Sequence, residues 1–307
     1  MTLSVKRLDA RQPHAIGAKL VSLQGAAEPL PSYAEEIAAF HRAFAAELKG
    51  VVAGLPLTPE MRVLDVGCGD GFYMTLFAER LRSPGGITGL DISESYLKLA
   101  RQNANLLNAD CGVDFILGDL SHLPAASSDF DLAWCAQSLY SLPEPVAALR
   151  QMAAALRPGG ILAVLENDTL HQVLLPWPSH LEIALRAAEF VELARQSHHP
   201  GKYYVGRRLP AVFAAAGLEP LGFRTQCIDR QAPLDQDLTQ FLDCYLRRLA
   251  ERVEQHLHRP QARELAQLID PNHDKYLPRQ PYFTMSWLNV LVWGRKPLSP
   301  GPGGTTS

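Results

Sequence analysis

Cysteine is scarce in this 307-residue chain and carries no pattern: Cys68, Cys111, Cys135, Cys227 and Cys244 are scattered, odd in number and free of any C-x-x-C pair. That argues against a disulfide framework and against a cysteine zinc site, and no metal is expected. The thiols are expected to pack as small apolar groups. Long apolar runs are also missing, since none reaches the roughly 18 residues that cross a bilayer. The opening stretch, Met1–Leu20, lacks the compact apolar segment of a secretory signal, so a cytoplasmic protein with no membrane span is expected. Nor does charge of one sign dominate: 29 basic against 32 acidic side chains leave a formal charge of −3. So balanced a surface lacks the broad positive field that sequence-independent nucleic-acid binding needs, and a small ligand is the expected partner.

What is present is ordinary globular usage, 47% hydrophobic and 20% charged, in a length that allows one large domain with appendages. Residues 1–32 mix Pro, Gly and charge without period and read as an N-terminal extension; 298–307 read as a disordered tail. Between them, 33–297 read as one domain. Ile37, Phe40, Phe44 and Leu48 recur at helical steps and predict one buried stripe over Tyr33–Val52. Short apolar runs then alternate with amphipathic segments. Strands are expected at Arg62–Val66, Gly86–Asp91, Val113–Leu117, Phe130–Cys135 and Gly160–Glu166. Helices are expected near Gly71–Leu81, Ser93–Leu107 and Pro143–Leu156, the last stopped by Arg157-Pro158-Gly159-Gly160. This alternation predicts an α/β doubly wound core. Two helical insertions, at about 170–206 and 232–281, interrupt it; a helix near Leu209–Ala216 and the run Leu221–Ile228 lie between them, and Phe283–Trp293 follows.

After the first strand stands Asp65-Val66-Gly67-Cys68-Gly69-Asp70-Gly71. Alternate glycines permit a sharp strand-to-helix turn and a close approach of backbone N–H groups to a ligand. The dinucleotide fingerprint G-x-G-x-x-G is a rival, but the spacing here is G-x-G-x-G, with a carboxylate two positions before the first glycine. Such a carboxylate repels a pyrophosphate and attracts an ammonium. Twenty residues beyond Gly71, Asp91 ends the second strand, where an acidic side chain accepts from ribose hydroxyls; Ser93 is the better candidate for the helix cap. Asp119, in Gly118-Asp119-Leu120 after the third strand, suits an exocyclic amine. The three carboxylates describe amine, ribose and adenine.

With Phe130-Asp131-Leu132 and Leu156-Arg157-Pro158-Gly159-Gly160 added, this ordered set resembles class I S-adenosylmethionine-dependent methyltransferases, in particular the small-molecule group that includes the ubiquinone and menaquinone biosynthesis enzymes. The resemblance spans about 33–170. It implies a seven-stranded, mostly parallel sheet with helical lid insertions and an antiparallel last strand, and S-adenosyl-L-methionine as cofactor. It further implies that Asp65 and the turn of Gly67, Cys68, Gly69 and Gly71 hold the methionine part, with backbone at Cys135 and Ala136 nearby. Asp91 would take the ribose, and Ile92, Asp119 and Leu120 the adenine. Many relatives carry an Asn-His-like pair where this chain has Ala136-Gln137. The Asn/Asp-Pro-Pro-Tyr/Phe segment of enzymes that methylate nucleobase or glutamine amines is replaced by Trp134-Cys135-Ala136-Gln137-Ser138-Leu139-Tyr140.

Methyl transfer from a sulfonium needs chiefly an aligned nucleophile and exclusion of water. A base helps when the acceptor is a hydroxyl, and O-methylation is the expected reaction. His171, just beyond the fifth strand, is the candidate base, with His41, His198 and His199 as competitors; Asp168 and His171 lack a third metal ligand. Phe190, Phe241 and Tyr245 fall at helical spacing and read as core, whereas Tyr203-Tyr204 beside His198-His199-Pro200-Gly201 reads as a pocket wall or lid hinge. An apolar or aromatic small molecule under a helical lid is therefore expected. Two alternatives remain: a catalytically silent S-adenosylmethionine-binding partner subunit, and a nicotinamide-dependent oxidoreductase.

Overall fold

In β1 (Arg62–Val66) four successive residues are buried, Val63 to Val66, because helices cover both faces of the strand. The same reason accounts for the buried runs of β4 (Phe130–Ala136) and β5 (Leu156–Glu166), whereas β2 (Gly86–Asp91) is partly buried and β3 (Gly112–Leu117), at the sheet edge, has no fully buried residue; all are parallel in the order β3-β2-β1-β4-β5. The computed structural model describes residues 29–107, 109–120, 123, 129–168, 171–196 and 203–298. The tail and most of the N-terminal extension lie outside them.

Helices α3 (Phe72–Ala78), α4 (Glu94–Asn105) and α5 (Pro145–Ala155) make the crossovers. Beyond β5, α7 (Val205–Ala215) leads to β7 (Glu219–Gln231), and β8 (Thr284–Arg295) slots antiparallel between β5 and β7. A two-residue β6 (Val173–Leu174) pairs with the start of β8. The seven long strands form the doubly wound, mostly parallel sheet, and β6 is a short eighth. Apolar side chains divide between its faces. Val63 and Trp134 point to the cluster under α1 and α8, whereas Leu64 and Val66 point to that under α5 and α7.

The first helical stripe is broken in two, α1 (Ala34–Ala43) and α2 (Ala45–Ala53), at Phe44. Fully buried, Phe44 packs its ring 5.0 Å from Phe40 and 5.4 Å from Phe241, and its backbone leaves the helical region at φ −120°. β5 starts earlier than the Pro-Gly-Gly stop suggests, because Leu156 already pairs with Phe130 before an irregularity in the ladder. The insertions supply α6 (Ser179–Gln196), α8 (Gln236–Val253) and α9 (Arg259–Ile269). They meet over the sheet: His180 Nε2 lies 2.7 Å from Glu264 Oε2, and His256 Nε2 lies 2.8 Å from Glu192 Oε2. Among the described residues, no helix is long and apolar enough to cross a membrane.

Candidate active site

At the carboxyl end of β1 the chain turns through Gly67, Gly69 and Gly71, each at positive φ (71°, 53° and 81°). Gly71 opens α3, and a Cβ there would stand 3.1 Å from that of Ala100, so the helix could not seat as closely. At Gly69 a Cβ would meet nothing within 4 Å; it would project into an open crevice. Both Gly67 N–H (2.8 Å) and Cys68 N–H (3.1 Å) donate to Leu90 O, which ties the turn to the end of β2.

Asp91 receives Gly69 N–H at 2.9 Å on one carboxylate oxygen and Ser93 N–H at 2.8 Å on the other. Each oxygen keeps further acceptor capacity for a ligand. Ser93 caps α4 through Tyr96 N–H. Ile92 is 75% exposed on the rim, and Gly118 N–H donates to Asp91 O at 2.9 Å, which brings exposed Asp119 and buried Leu120 alongside. Cys135 and Ala136 end β4, buried beside Val66. The residues picked from sequence for the cofactor thus gather at adjoining strand ends.

Asp65 is 1% exposed, and its Oδ2 has no hydrogen-bond partner. Burial first, then Asp91 and Asp70, hold its carboxyl well above the ordinary carboxylate range. A buried acceptor with no donor, beside a turn open at Gly69, is an environment a cationic ligand group would relieve. Burial alone would raise Asp70, but His41 and the Phe72 N–H bring it below its ordinary value. His41 is 8% exposed, stacks on Phe72 at 4.1 Å and lies 3.7 Å from Asp70, so it belongs to the glycine turn.

A cavity of about 310 Å³ opens beside this crevice, between α1, the turn after β4, the end of β5, α6 and α8. Tyr33 joins the two spaces. Its ring is 6.4 Å from Tyr96, it lines the cavity, and burial and Asp91 raise its pKa against the pull of Arg248. Gln137, held at φ 50°, contributes with Tyr140 from the turn after β4. Behind that turn lies Glu166, fully buried. Its Oε1 accepts Tyr140 N–H at 3.2 Å, and burial pushes its pKa up to about 8 against those backbone donors. A larger hollow of about 510 Å³, near Ala232–Leu234 and Tyr276–Pro281, holds none of the strand-end groups.

His171 is exposed, and its Nδ1 faces Arg207 Nη2 at 3.2 Å; Arg207 in turn pairs with Asp168 and lies over the Tyr204 ring. Burial and then Arg207 hold its imidazole below the usual range. Gln172, one residue on, lines the cavity instead. Tyr203 lines it too, whereas His198, His199, Pro200 and Gly201 lie outside the described residues. The wall is mixed rather than apolar, because α8 presents Arg248 and Arg252 beside Phe241. Sequence reasoning missed those arginines, together with Glu36 and Asn167. The available signal was the spacing Phe241, Tyr245, Arg248, Arg252, which continues an aromatic helix face with two cations.

Fold and crevice define a class: a doubly wound α/β protein whose strand-end crevice suits a nucleoside with a cationic end. Residues 57–203 match a family model described as a methyltransferase domain. A demethylmenaquinone methyltransferase of Lactiplantibacillus plantarum is 29% identical over 187 residues, 57% of this chain and 78% of the relative. The 27-O-demethylrifamycin SV methyltransferase of Amycolatopsis mediterranei is 37% identical over 128 residues, 42% of this chain and 44% of the relative. Methyltransferase GfsG of Streptomyces halstedii is 36% identical over 103 residues, 34% of this chain and 36% of the relative. The chain therefore spans less than half the length of the last two. A solved structure from Bacillus halodurans C-125 shares the fold, with a TM-score of 0.53 and 18% identity over 82% of this chain and 99% of its own. Residues 57–203 thus form a class I S-adenosylmethionine-dependent methyltransferase domain, and S-adenosyl-L-methionine is the methyl donor of that family.

Proposed function

We propose that the chain methylates a small organic acceptor held in the cavity between α1, α6 and α8, at an oxygen of that acceptor. The observation that carries this reading is that Tyr33, in ring contact with Tyr96 and under the electrostatic influence of Asp91, also lines the lidded cavity. Asp65 and the turn of Gly67, Cys68, Gly69 and Gly71, with Cys135 and Ala136, hold the methionine end; Asp91 holds the ribose; Ile92, Asp119 and Leu120 border the adenine. S-adenosyl-L-methionine supplies an already activated methyl group, so the chain's main task is alignment in a dry site.

Phe40, Phe241 and Trp287 exclude water from the cavity, and Gln137, Asn167 and Gln172 offer neutral hydrogen bonds that orient an acceptor oxygen. Tyr140 keeps its proton, since burial and Glu166 raise its pKa to about 12, and so it acts as a donor. The preference for oxygen is supported by the absence of the amine-methylating segment after β4 and by the name of the 27-O-demethylrifamycin SV methyltransferase. A base role for His171 is open to a direct measurement. If it holds, His171→Ala lowers kcat by about tenfold or more without changing donor affinity, given the usual size of general-base effects; a kcat within twofold of the parent removes it.

The decisive experiment incubates the protein and an isotopically labelled methyl donor with a small-molecule extract. A labelled metabolite is expected, identified by mass spectrometry. Donor binding with no labelled product would favour a silent partner subunit, and selective binding of a nicotinamide dinucleotide would favour an oxidoreductase.

A further inference from the structure

The cavity wall carries more guanidinium than carboxylate, and one of its donors is unspent. On α8, Phe241, Tyr245, Arg248 and Arg252 follow at steps of four, three and four, so one helix face passes from aromatic to cationic. Arg248 and Arg252 both line the cavity, and Glu36, from α1, is the single carboxylate lining it with them among the described residues. Glu36 is taken up by Arg248, Oε2 to Nε at 2.5 Å. Arg252 gives Nη2 to Glu189 at 3.3 Å, but Glu189 is 2% exposed and also pairs with Arg186 at 3.5 Å. The Nε of Arg252 is buried and has no hydrogen-bond partner.

A guanidinium is a planar fork suited to two oxygens of one anionic group. A cationic acceptor would meet two guanidiniums here, and a wholly apolar one would leave the buried N–H unpaired. The rest of the wall divides into an apolar floor of Phe40, Phe241 and Trp287 and neutral hydrogen-bonding groups. We infer that the acceptor carries an anionic oxygen group, a carboxylate or a phosphate, seated on Arg252 with Arg248 beside it, while its apolar body lies on Phe40, Phe241 and Trp287. This assignment rests on the reading of the cavity as the acceptor site.

Calorimetry tests it on the full chain saturated with S-adenosylhomocysteine, titrated with benzoate, 3-phenylpropanoate and octanoate, their primary amides, and phenyl phosphate. At least one anion is expected to bind tenfold or more tighter than its neutral counterpart, and the carboxylate and phosphate arms show which group is preferred. Arg252→Gln removes the countercharge of buried Glu189 and could unsettle α6, so Arg252→Lys is made as well. The lysine keeps that charge but loses the fork. It is expected to shrink the anion preference to threefold or less with S-adenosylhomocysteine affinity unchanged. Anions that bind no better than the amides, or that do not bind at all, overturn the inference while leaving methyl transfer intact. A preference that survives Arg252→Lys undiminished overturns the role of Arg252. Failure of the chain to bind S-adenosylhomocysteine in the first place would instead overturn the underlying reading.

Discussion

Two buried carboxyls set the pH behaviour of single residues in this molecule, and they do so in different ways. Burial, then Asp91 and Asp70, raise the carboxyl of Asp65 well above its ordinary range. A ligand ammonium at its partnerless oxygen favours the ionised form, so binding should expel a proton. Titration of S-adenosylmethionine in buffers of different ionisation enthalpy is expected to show proton release, with affinity rising with pH over the range in which Asp65 is protonated in the free protein. Asp65→Asn should abolish that slope and weaken binding tenfold or more; an unchanged slope would assign the proton elsewhere. Glu166, fully buried behind the turn after β4, acts on stability. Its folded pKa of about 8 lies above its ordinary value, so its proton stabilises the fold fully below the ordinary carboxylate pKa. That contribution is lost as pH rises through about 8, with a slope on the order of 1 kcal/mol per pH unit. Glu166→Gln, which keeps an acceptor for Tyr140 N–H, should flatten the decline of melting temperature between mildly acidic and mildly alkaline pH.

Among the elements, the lid helices depend on polar contacts between the two insertions. Glu192 on α6 accepts from His256 at 2.8 Å and from Gln255 at 3.1 Å, and His180 at the other end of α6 meets Glu264 of α9 at 2.7 Å. The hydrogen bonds from His256 and Gln196 lower the pKa of Glu192. Its contribution is therefore present above the ordinary carboxylate pKa and lost as pH falls through the lowered value. Glu192→Gln combined with His180→Ala is expected to raise amide hydrogen exchange along Ser179–Gln196 by tenfold or more, while exchange in β1 and β4 stays at the parent rate. Equal acceleration in the strands would mean that the clasps hold the whole fold and not the lid. The core elements were legible in the sequence because their signals are local: the buried runs around Leu64 and Ala133, the Gly67–Gly71 turn and the Ser93 cap each declare themselves within a few residues. Phe44 was legible as core but not as a helix break, since its packing partners Phe241 and Trp287 lie far away in the sequence. The spacing Phe241, Tyr245, Arg248, Arg252 sets two cations on an aromatic helix face, but no local pattern contains the closure of α1 and α6 over them.

At the scale of the whole molecule, the cofactor crevice and the acceptor cavity are built by different parts of the chain and should be separable. The residues assigned to the cofactor come from the ends of β1 to β4. The cavity needs α1, α6, α8 and β8, and one aromatic cluster joins three of these: Phe40 of α1 lies 4.9 Å from Trp287 of β8 and 5.8 Å from Phe241 of α8, all buried. Removing the Phe40 ring deletes packing on each side of that junction, and a Phe→Ala change in a core costs about 3–5 kcal/mol. Phe40→Ala should therefore lower the melting temperature and alter the emission of Trp287. In the fraction still folded below that transition, S-adenosylhomocysteine should bind within threefold of the parent, while acceptor-side ligands lose tenfold or more. A parallel loss of both would show that α1 shapes the crevice as much as the cavity, through His41 and Phe72. Separate responses would establish that the strand ends hold the donor independently of the helices that select what is methylated.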